Sequence, residues 1–437
     1  MFDPGSECMP AEEREKLQLV RLRGMVDICI AHVPFYRQLL HGAGIDRGAD
    51  LRSLKDIRRI PFTTKEDLYR LYPDGLLAVP MREVARIHTS SGTAGTPTVG
   101  YYTAADLKTW RLAAARVLAL NGVTREDVFQ ISVGYGMFTG GLGFHQGAEE
   151  IGCTVIPASV GNTDRQIRML LDFGVTAITA TPSYAVYLSE QIRAAGVLSR
   201  LKLRRVLLGA ERCSPAMRRA IEENLGVETA DNYGMTEFFG PGFSGECACR
   251  CGLHVSDDLF YPEIIDPESG RVLPDGEPGE LVVTSLQREA MPLLRYRTRD
   301  LTMLTHAPCA CGRTSARVQA PYGRSDDMFV FKGVNIFPSQ IEYGISQIPG
   351  LSPHYIVTLS RSAQCQDTAR LEVERDPALQ LPDAQLAAAL AQRLRELLLV
   401  KMEIVLRAPG ELPRFQGKGK RVIDRRYDEP SQEVRHD

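Results

Sequence analysis

What the 437-residue sequence lacks narrows its reading first. It contains no run of about eighteen apolar residues, so no membrane-spanning helix is expected. It lacks net charge: 52 Lys and Arg stand against 54 Asp and Glu, a balance of -2. That leaves no electrostatic footprint for nucleic acid or an anionic membrane surface. Residues 1–15 are acidic and lack a basic-then-apolar signal pattern, so a cytoplasmic location is expected. No internal repeat or low-complexity tract occurs, and neither end reads as an Asp/Gly-x-x-Ser carrier segment in helical surroundings.

What is present is a globular composition, 44% apolar and 24% charged, in a chain too long for one ordinary core. Two or three domains are expected. Five of the ten cysteines crowd into two patches, Cys247, Cys249 and Cys251, then Cys309 and Cys311. In a long cytosolic chain such clusters suit metal better than disulfides.

Apolar spacing predicts helix over 11–40, broken by Pro34. From about 85 to 330, short β-branched runs at 128–133, 155–157, 177–180 and 206–208 alternate with helical stretches, the pattern of βαβ units and parallel sheet. A strand is expected at 280–284. A boundary is expected near 323–327, giving an α/β domain over 1–323 and a small α+β domain over 324–437. The latter should contain strands near 328–331 and 354–360 and helices from 338 and over 382–400.

Ser90-Ser91-Gly92-Thr93-Ala94-Gly95-Thr96-Pro97 has the makings of a phosphate cradle: glycines that let backbone approach a ligand, and N–H and hydroxyl donors. It is not a Walker A motif, because the Gly-Lys-Ser/Thr ending is missing. Alone it is indistinguishable from a surface turn. It is followed in order by Gly209-Ala210-Glu211, Asp231-Asn232-Tyr233-Gly234-Met235-Thr236-Glu237, Tyr296-Arg297-Thr298-Arg299-Asp300, Gly323-Arg324-Ser325-Asp326-Asp327 and Pro413-Arg414-Phe415-Gln416-Gly417-Lys418. This ordered set resembles the adenylate-forming superfamily of acyl- and aryl-CoA ligases, and most nearly its phenylacetate–CoA ligase branch. The stretches 135–143 and 260–266 strengthen the likeness, which runs from about residue 26 to 424.

The resemblance implies a large adenylating domain of mixed and parallel sheets with helices, and a small mobile lid domain. It implies a carboxylate attacking the α-phosphorus of ATP, then a thiolate taking the acyl group. By the same likeness Glu237 holds Mg²⁺, Thr236 donates to the α-phosphate, and Lys418 brings a cation to the adenylation step. Ser90, Ser91, Gly92, Thr93 and Gly95 cradle phosphate. Gly209, Ala210, Glu211, Asp231, Asn232 and Tyr233 border the adenine, with Asp300 on the ribose and Arg324 beside it. Asp326 is the hinge. Arg299 stands where the wider superfamily carries glycine, but the phenylacetate–CoA ligase branch resembles this chain in reading Arg-Thr-Arg-Asp; Thr96 stands where many members carry lysine.

Tyr135, Phe138, Gly140, Gly141, His145 and Tyr184 are the expected acyl site, favouring a small aryl acid over a fatty acid. Cys247, His254, Cys309 and Cys311 suit tetrahedral Zn²⁺, with Cys249 or Cys251 as replacements for Cys247. That pattern resembles deazaflavin-adenylylating synthetases of the superfamily. Four protein ligands would leave no open position, so the zinc would be structural. The expected acceptor is coenzyme A. An adenylyltransferase and an enzyme loading a separate carrier protein are the alternatives. Such relatives commonly form homodimers.

Overall fold

The runs Val128–Ile131, Ala177–Ala180 and Arg205–Leu208 are mainly apolar and buried on both faces, as strands covered by helices on each side are. Phe129, Ile131, Ala177, Ile178, Val206 and Leu207 are fully enclosed. The computed structural model describes every residue except 91–96, 212, 214, 322, 326–328, 337, 363–365, 377–380, 413–421 and 428–437. The expectations placed on Ser91, Gly92, Thr93, Gly95, Thr96, Asp326 and Lys418 therefore lie outside the described residues.

These runs form the heart of a nine-stranded mixed sheet. Its parallel part runs Thr154–Ile156, Val128–Ile131, Ala177–Ala180, Arg205–Leu208, Glu228–Tyr233. It continues antiparallel through Ser244–Glu246, Leu253–Val255, Arg317–Val318 and Leu304–Thr305. Val128–Ile131 has the next strand of the chain on one side and the one after on the other. That reversal opens a crevice at the carboxyl ends of the strands. A second, four-stranded antiparallel sheet joins Phe260–Ile265, Gly279–Ser285, Tyr296–Thr302 and Gly323–Arg324.

The helices have sequence-encoded ends. Thr103 and Asp106 close a capping box on Ala104–Leu120. Gly152, at φ 95°, ends Thr139–Ile151 in the left-handed conformation a helix stop favours. The expected helix over 11–40 is two helices, Ala11–His32 and Pro34–Gly42. Pro34 begins the second, at a position where its missing N–H is not needed. No helix of the described residues is long and apolar enough to cross a membrane.

The chain divides into two compact units near residue 326. The smaller carries a four-stranded sheet ordered Glu403–Arg407, Asp367–Arg375, Leu351–Arg361, Val422–Asp424. Helix Asp383–Leu398 covers it through Leu386, Leu390, Leu394 and Leu398, four residues apart and all buried. The hairpin Phe329–Phe331/Val334–Ile336 turns on Lys332 and Gly333, both at positive φ as the tight hairpin turn requires.

Candidate active site

The carboxyl ends of the parallel strands carry the residues singled out by the sequence: Tyr135 follows Ile131, Tyr184 follows Ala180, Gly209 follows Leu208, and Tyr233 ends its strand. Just beyond it lies Glu237, 4% exposed. Tyr296 donates to its Oε1 at 3.2 Å, while Arg288 donates to its backbone carbonyl. Tyr102 donates to the preceding carbonyl, that of Thr236, at 3.3 Å. Ser90 pairs with Thr98: its N–H donates to the Thr98 carbonyl, and its Oγ accepts from the Thr98 N–H, both at 2.9 Å.

Asp300 is presented by a bulge. Glu280 pairs with Leu301 but Val282 with Arg297, so the partner strand holds extra residues between them. Arg299 takes up the distortion at φ 67°, the left-handed region. This is the position where the wider superfamily carries glycine, and the backbone conformation is one glycine adopts freely. The bulge leaves Asp300 facing two donors, Tyr233 Oη at 2.6 Å and Arg324 Nη1 at 2.7 Å.

Around the strand ends, Ala210 is also held at positive φ, 67°. Glu211 accepts from the N–H and hydroxyl of Ser183, at 3.2 and 2.7 Å, and so caps the helix Pro182–Ala194. Asn232 spans back to the Leu208 carbonyl at 3.2 Å. Asp231 is enclosed next to Glu246, which a fork of Arg218 holds at 2.7 and 3.1 Å. Burial first, and Glu246 second, push the Asp231 carboxyl up to about 7.

In the expected acyl region Tyr135 Oη lies 2.9 Å from His145 Nδ1, and His145 Nε2 lies 3.0 Å from Glu149. Burial raises the Tyr135 hydroxyl pKa, so it stays protonated. Phe138 is 46% exposed at the start of helix Thr139–Ile151. The glycines divide by role. A Cβ on Gly140 would meet open space. One on Gly141 would lie 2.6 Å from the Gly134 carbonyl, and one on Gly143 2.5 Å from Pro241. A side chain at Gly141 is therefore excluded by the Gly134 backbone.

The cysteine patches meet. Ligand atoms of Cys247, His254, Cys309 and Cys311 all lie within 4.8 Å of one another. Cys247 and Cys309 sulfurs are 3.7 Å apart, and Cys311 Sγ is 3.4 Å from His254 Nε2. Zn–S bonds of about 2.3 Å and Zn–N bonds of about 2.0–2.1 Å at tetrahedral angles give edges of roughly 3.6–3.8 Å. His254 Nδ1 is 3.0 Å from Ser315 Oγ, which leaves Nε2 for the cluster. Burial pushes the Cys309 thiol up, but hydrogen bonds from Cys311, Cys251 and Cys247 outweigh it and hold it at about 7. Of the two replacements, Cys249 is exposed. Cys251 stands beside the group, 3.4 Å from Cys309, with Arg317 Nη1 2.7 Å from its sulfur.

This arrangement has relatives. The AMP-binding enzyme family model matches residues 49–287, and the AMP-binding enzyme C-terminal domain matches 333–426. A phenylacetate-coenzyme A ligase of Thermus thermophilus is 43% identical over 98% of this chain and 100% of its own length. The Pseudomonas putida phenylacetate-coenzyme A ligase is 42% identical over 98% of this chain and 97% of its own. The chain belongs to the AMP-binding enzymes, in their phenylacetate–CoA ligase family. A solved structure of 2-hydroxyisobutyryl-CoA ligase in complex with 2-HIB-AMP and CoA superposes with a TM-score of 0.90 at 30% identity, covering 97% of this chain and 92% of that one.

Within this family fold, reasoning from sequence missed the groups that hold the site residues. Tyr296 lay inside a motif already singled out, but Tyr102 and Arg288 stand in stretches with no signal of their own. The two glycine roles separate by mutation. Gly143→Ala should lower stability by about 1–3 kcal/mol through the clash with Pro241 and Trp110. Gly140→Ala should leave stability within about 0.5 kcal/mol, since nothing is in its way. Urea denaturation of the two proteins checks this; equal losses would contradict it.

Proposed function

We propose that this ATP-dependent aryl-CoA ligase activates a small aromatic carboxylic acid, of the phenylacetate, benzoate or aminobenzoate type, and transfers it to coenzyme A. The observation that carries the reading is the convergence of Tyr233, Asp300 and buried Glu237 at the carboxyl ends of the parallel strands. The substrate carboxylate attacks the α-phosphorus of ATP and the bond to pyrophosphate breaks. The coenzyme A thiolate then attacks the acyl carbon of the acyl-AMP, and AMP leaves.

Asp300, held by Tyr233 and Arg324, is the carboxylate that accepts the ribose hydroxyls. Tyr233 presents its ring to the adenine, whose rim is formed by Gly209, Ala210 and Asn232. Thr236 donates to the α-phosphate, and Ser90 and the loop after it cradle the rest. Glu237 suits Mg²⁺: it is a hard carboxylate, enclosed, and without an ion-pair partner among the described residues. When bound, Mg²⁺ supplies neutralising charge on the phosphate oxygens. Lys418 adds a cation for adenylation, and rotation at Asp326 clears it for the second step. The aryl group lies against Tyr135, Phe138 and Tyr184, with open space at Gly140.

Pyrophosphate release with a panel of aryl acids, with and without coenzyme A, followed by product mass, tests this. A thioester mass is expected; pyrophosphate release without thioester under any condition rejects the acceptor. Lys418→Ala should slow adenylation by about a hundredfold or more and spare thioester formation from supplied adenylate. Equal loss of both steps contradicts its role.

Cys247, His254, Cys309 and Cys311 hold a structural Zn²⁺. The sulfur–sulfur and sulfur–nitrogen separations support it, and four protein ligands leave no position for activated water. It would join the Ser244–Glu246/Leu253–Val255 hairpin to the 306–316 loop, on which Glu7 and Arg14 also dock through Arg313 and Thr314. Protein purified without chelator should hold about one zinc per chain, and chelation should lower its melting temperature. Zinc far below one equivalent contradicts the site.

A further inference from the structure

Arg288 is among the largest fully enclosed side chains of the protein, 1% exposed. Among the described residues no carboxylate forms an ion pair with it. A buried guanidinium without an acid is costly, and a neutral side chain would fill the volume at less cost. Its compensation is of another kind. It donates to the Glu237 carbonyl and, at 3.4 Å, to the Tyr101 carbonyl. Its plane lies over the Tyr102 ring at 4.8 Å and the Phe239 ring at 5.8 Å.

The same Tyr102 uses its hydroxyl on the Thr236 carbonyl. Two successive carbonyls, those of Thr236 and Glu237, are thus gripped by one stacked pair. Tyr296 fixes the carboxylate at the other end of Glu237. Arg288 is itself delivered by a rigid support. Asp106 accepts from the N–H groups of Glu289 and Ala290 at 2.7 and 2.9 Å, and Thr103 donates to the Glu289 carboxylate at 2.8 Å. Thr103 and Asp106 are the capping box of Ala104–Leu120, so one helix end sets both the helix and the arginine.

We infer that Arg288, with Tyr102, is a positioning residue for adenylation, which holds the Thr236–Glu237 backbone so that the Glu237 carboxylate meets the ATP-bound divalent cation in one fixed orientation. The inference rests on Glu237 as the cation-binding carboxylate.

The test is the Mg²⁺ dependence of pyrophosphate release at saturating ATP and acid, for the wild type, Arg288→Met, Arg288→Lys, Tyr102→Phe and Glu237→Gln. Arg288→Met should raise the Mg²⁺ concentration for half-maximal rate and lower the adenylation rate, together by about ten- to a hundredfold. Arg288→Lys, which keeps the charge but not the fork, should recover part of the loss. Tyr102→Phe should shift the Mg²⁺ midpoint in the same direction by a smaller factor. Thioester formation from supplied acyl-AMP, and the KM for the acid, should stay within about twofold of wild type, a selectivity that general loosening would not give. If Arg288→Met does not fold, Arg288→Lys and Tyr102→Phe, which nearly conserve volume, carry the same titration. An unchanged Mg²⁺ midpoint in the folded variants, or equal loss of both half-reactions, overturns the inference. Glu237→Gln with a wild-type Mg²⁺ response overturns the underlying assignment of Glu237, and the inference falls with it.

Discussion

A buried carboxylate must be held if it is to hold anything else, and the larger unit is built around two of them. Glu237 is fixed by a hydroxyl at its carboxylate and by donors on its own and the preceding carbonyl. Asp300 is fixed by a tyrosine hydroxyl and an arginine. Both sets of supports draw on the antiparallel sheet that carries Tyr296–Thr302, while Tyr233 comes from the parallel one. The two sheets therefore meet through hydrogen bonds to carboxylates. Nucleotide chemistry needs this: catalysis at a phosphate is chiefly the placement of charge in a site that does not have to rearrange.

Local distortion aims these groups. The bulge before Leu301 puts Arg299 in a left-handed conformation and turns Asp300 towards Tyr233 and Arg324. Ala210, at the end of another strand, has a similar φ. Such conformations cost about 1–3 kcal/mol each and survive where surrounding contacts enforce them. The cysteine cluster serves a different purpose. It brings three thiols and an imidazole together from two separate stretches of the nine-stranded sheet.

Much of this was legible in the sequence, for identifiable reasons. The parallel strands announced themselves because strands buried on both faces read as short, mainly apolar runs, as at 177–180 and 206–208. Cys247, His254, Cys309 and Cys311 could be chosen because few side chains bind soft metals, and they do converge. Glu237 and Asp300 stood in motifs whose order carried the family. What was not legible depends on contacts distant in sequence. Arg288 meets Glu237 across 51 residues, and Tyr102 meets Thr236 across 134, with no local pattern to mark either. Nor does the sequence show that the Gly134 backbone lies where a side chain at Gly141 would go. The break at Pro34, by contrast, was legible: one helix ends before it and another begins on it.

The central claim is that the acid's own carboxylate attacks the α-phosphorus of ATP. Its most direct test is isotopic: turnover of an accepted aryl acid labelled with oxygen-18 in both carboxylate oxygens, followed by mass analysis of the nucleotide and phosphate products. The account predicts that the AMP released carries one labelled oxygen, with the pyrophosphate unlabelled. Unlabelled AMP, or label in inorganic phosphate alongside ADP, would contradict it.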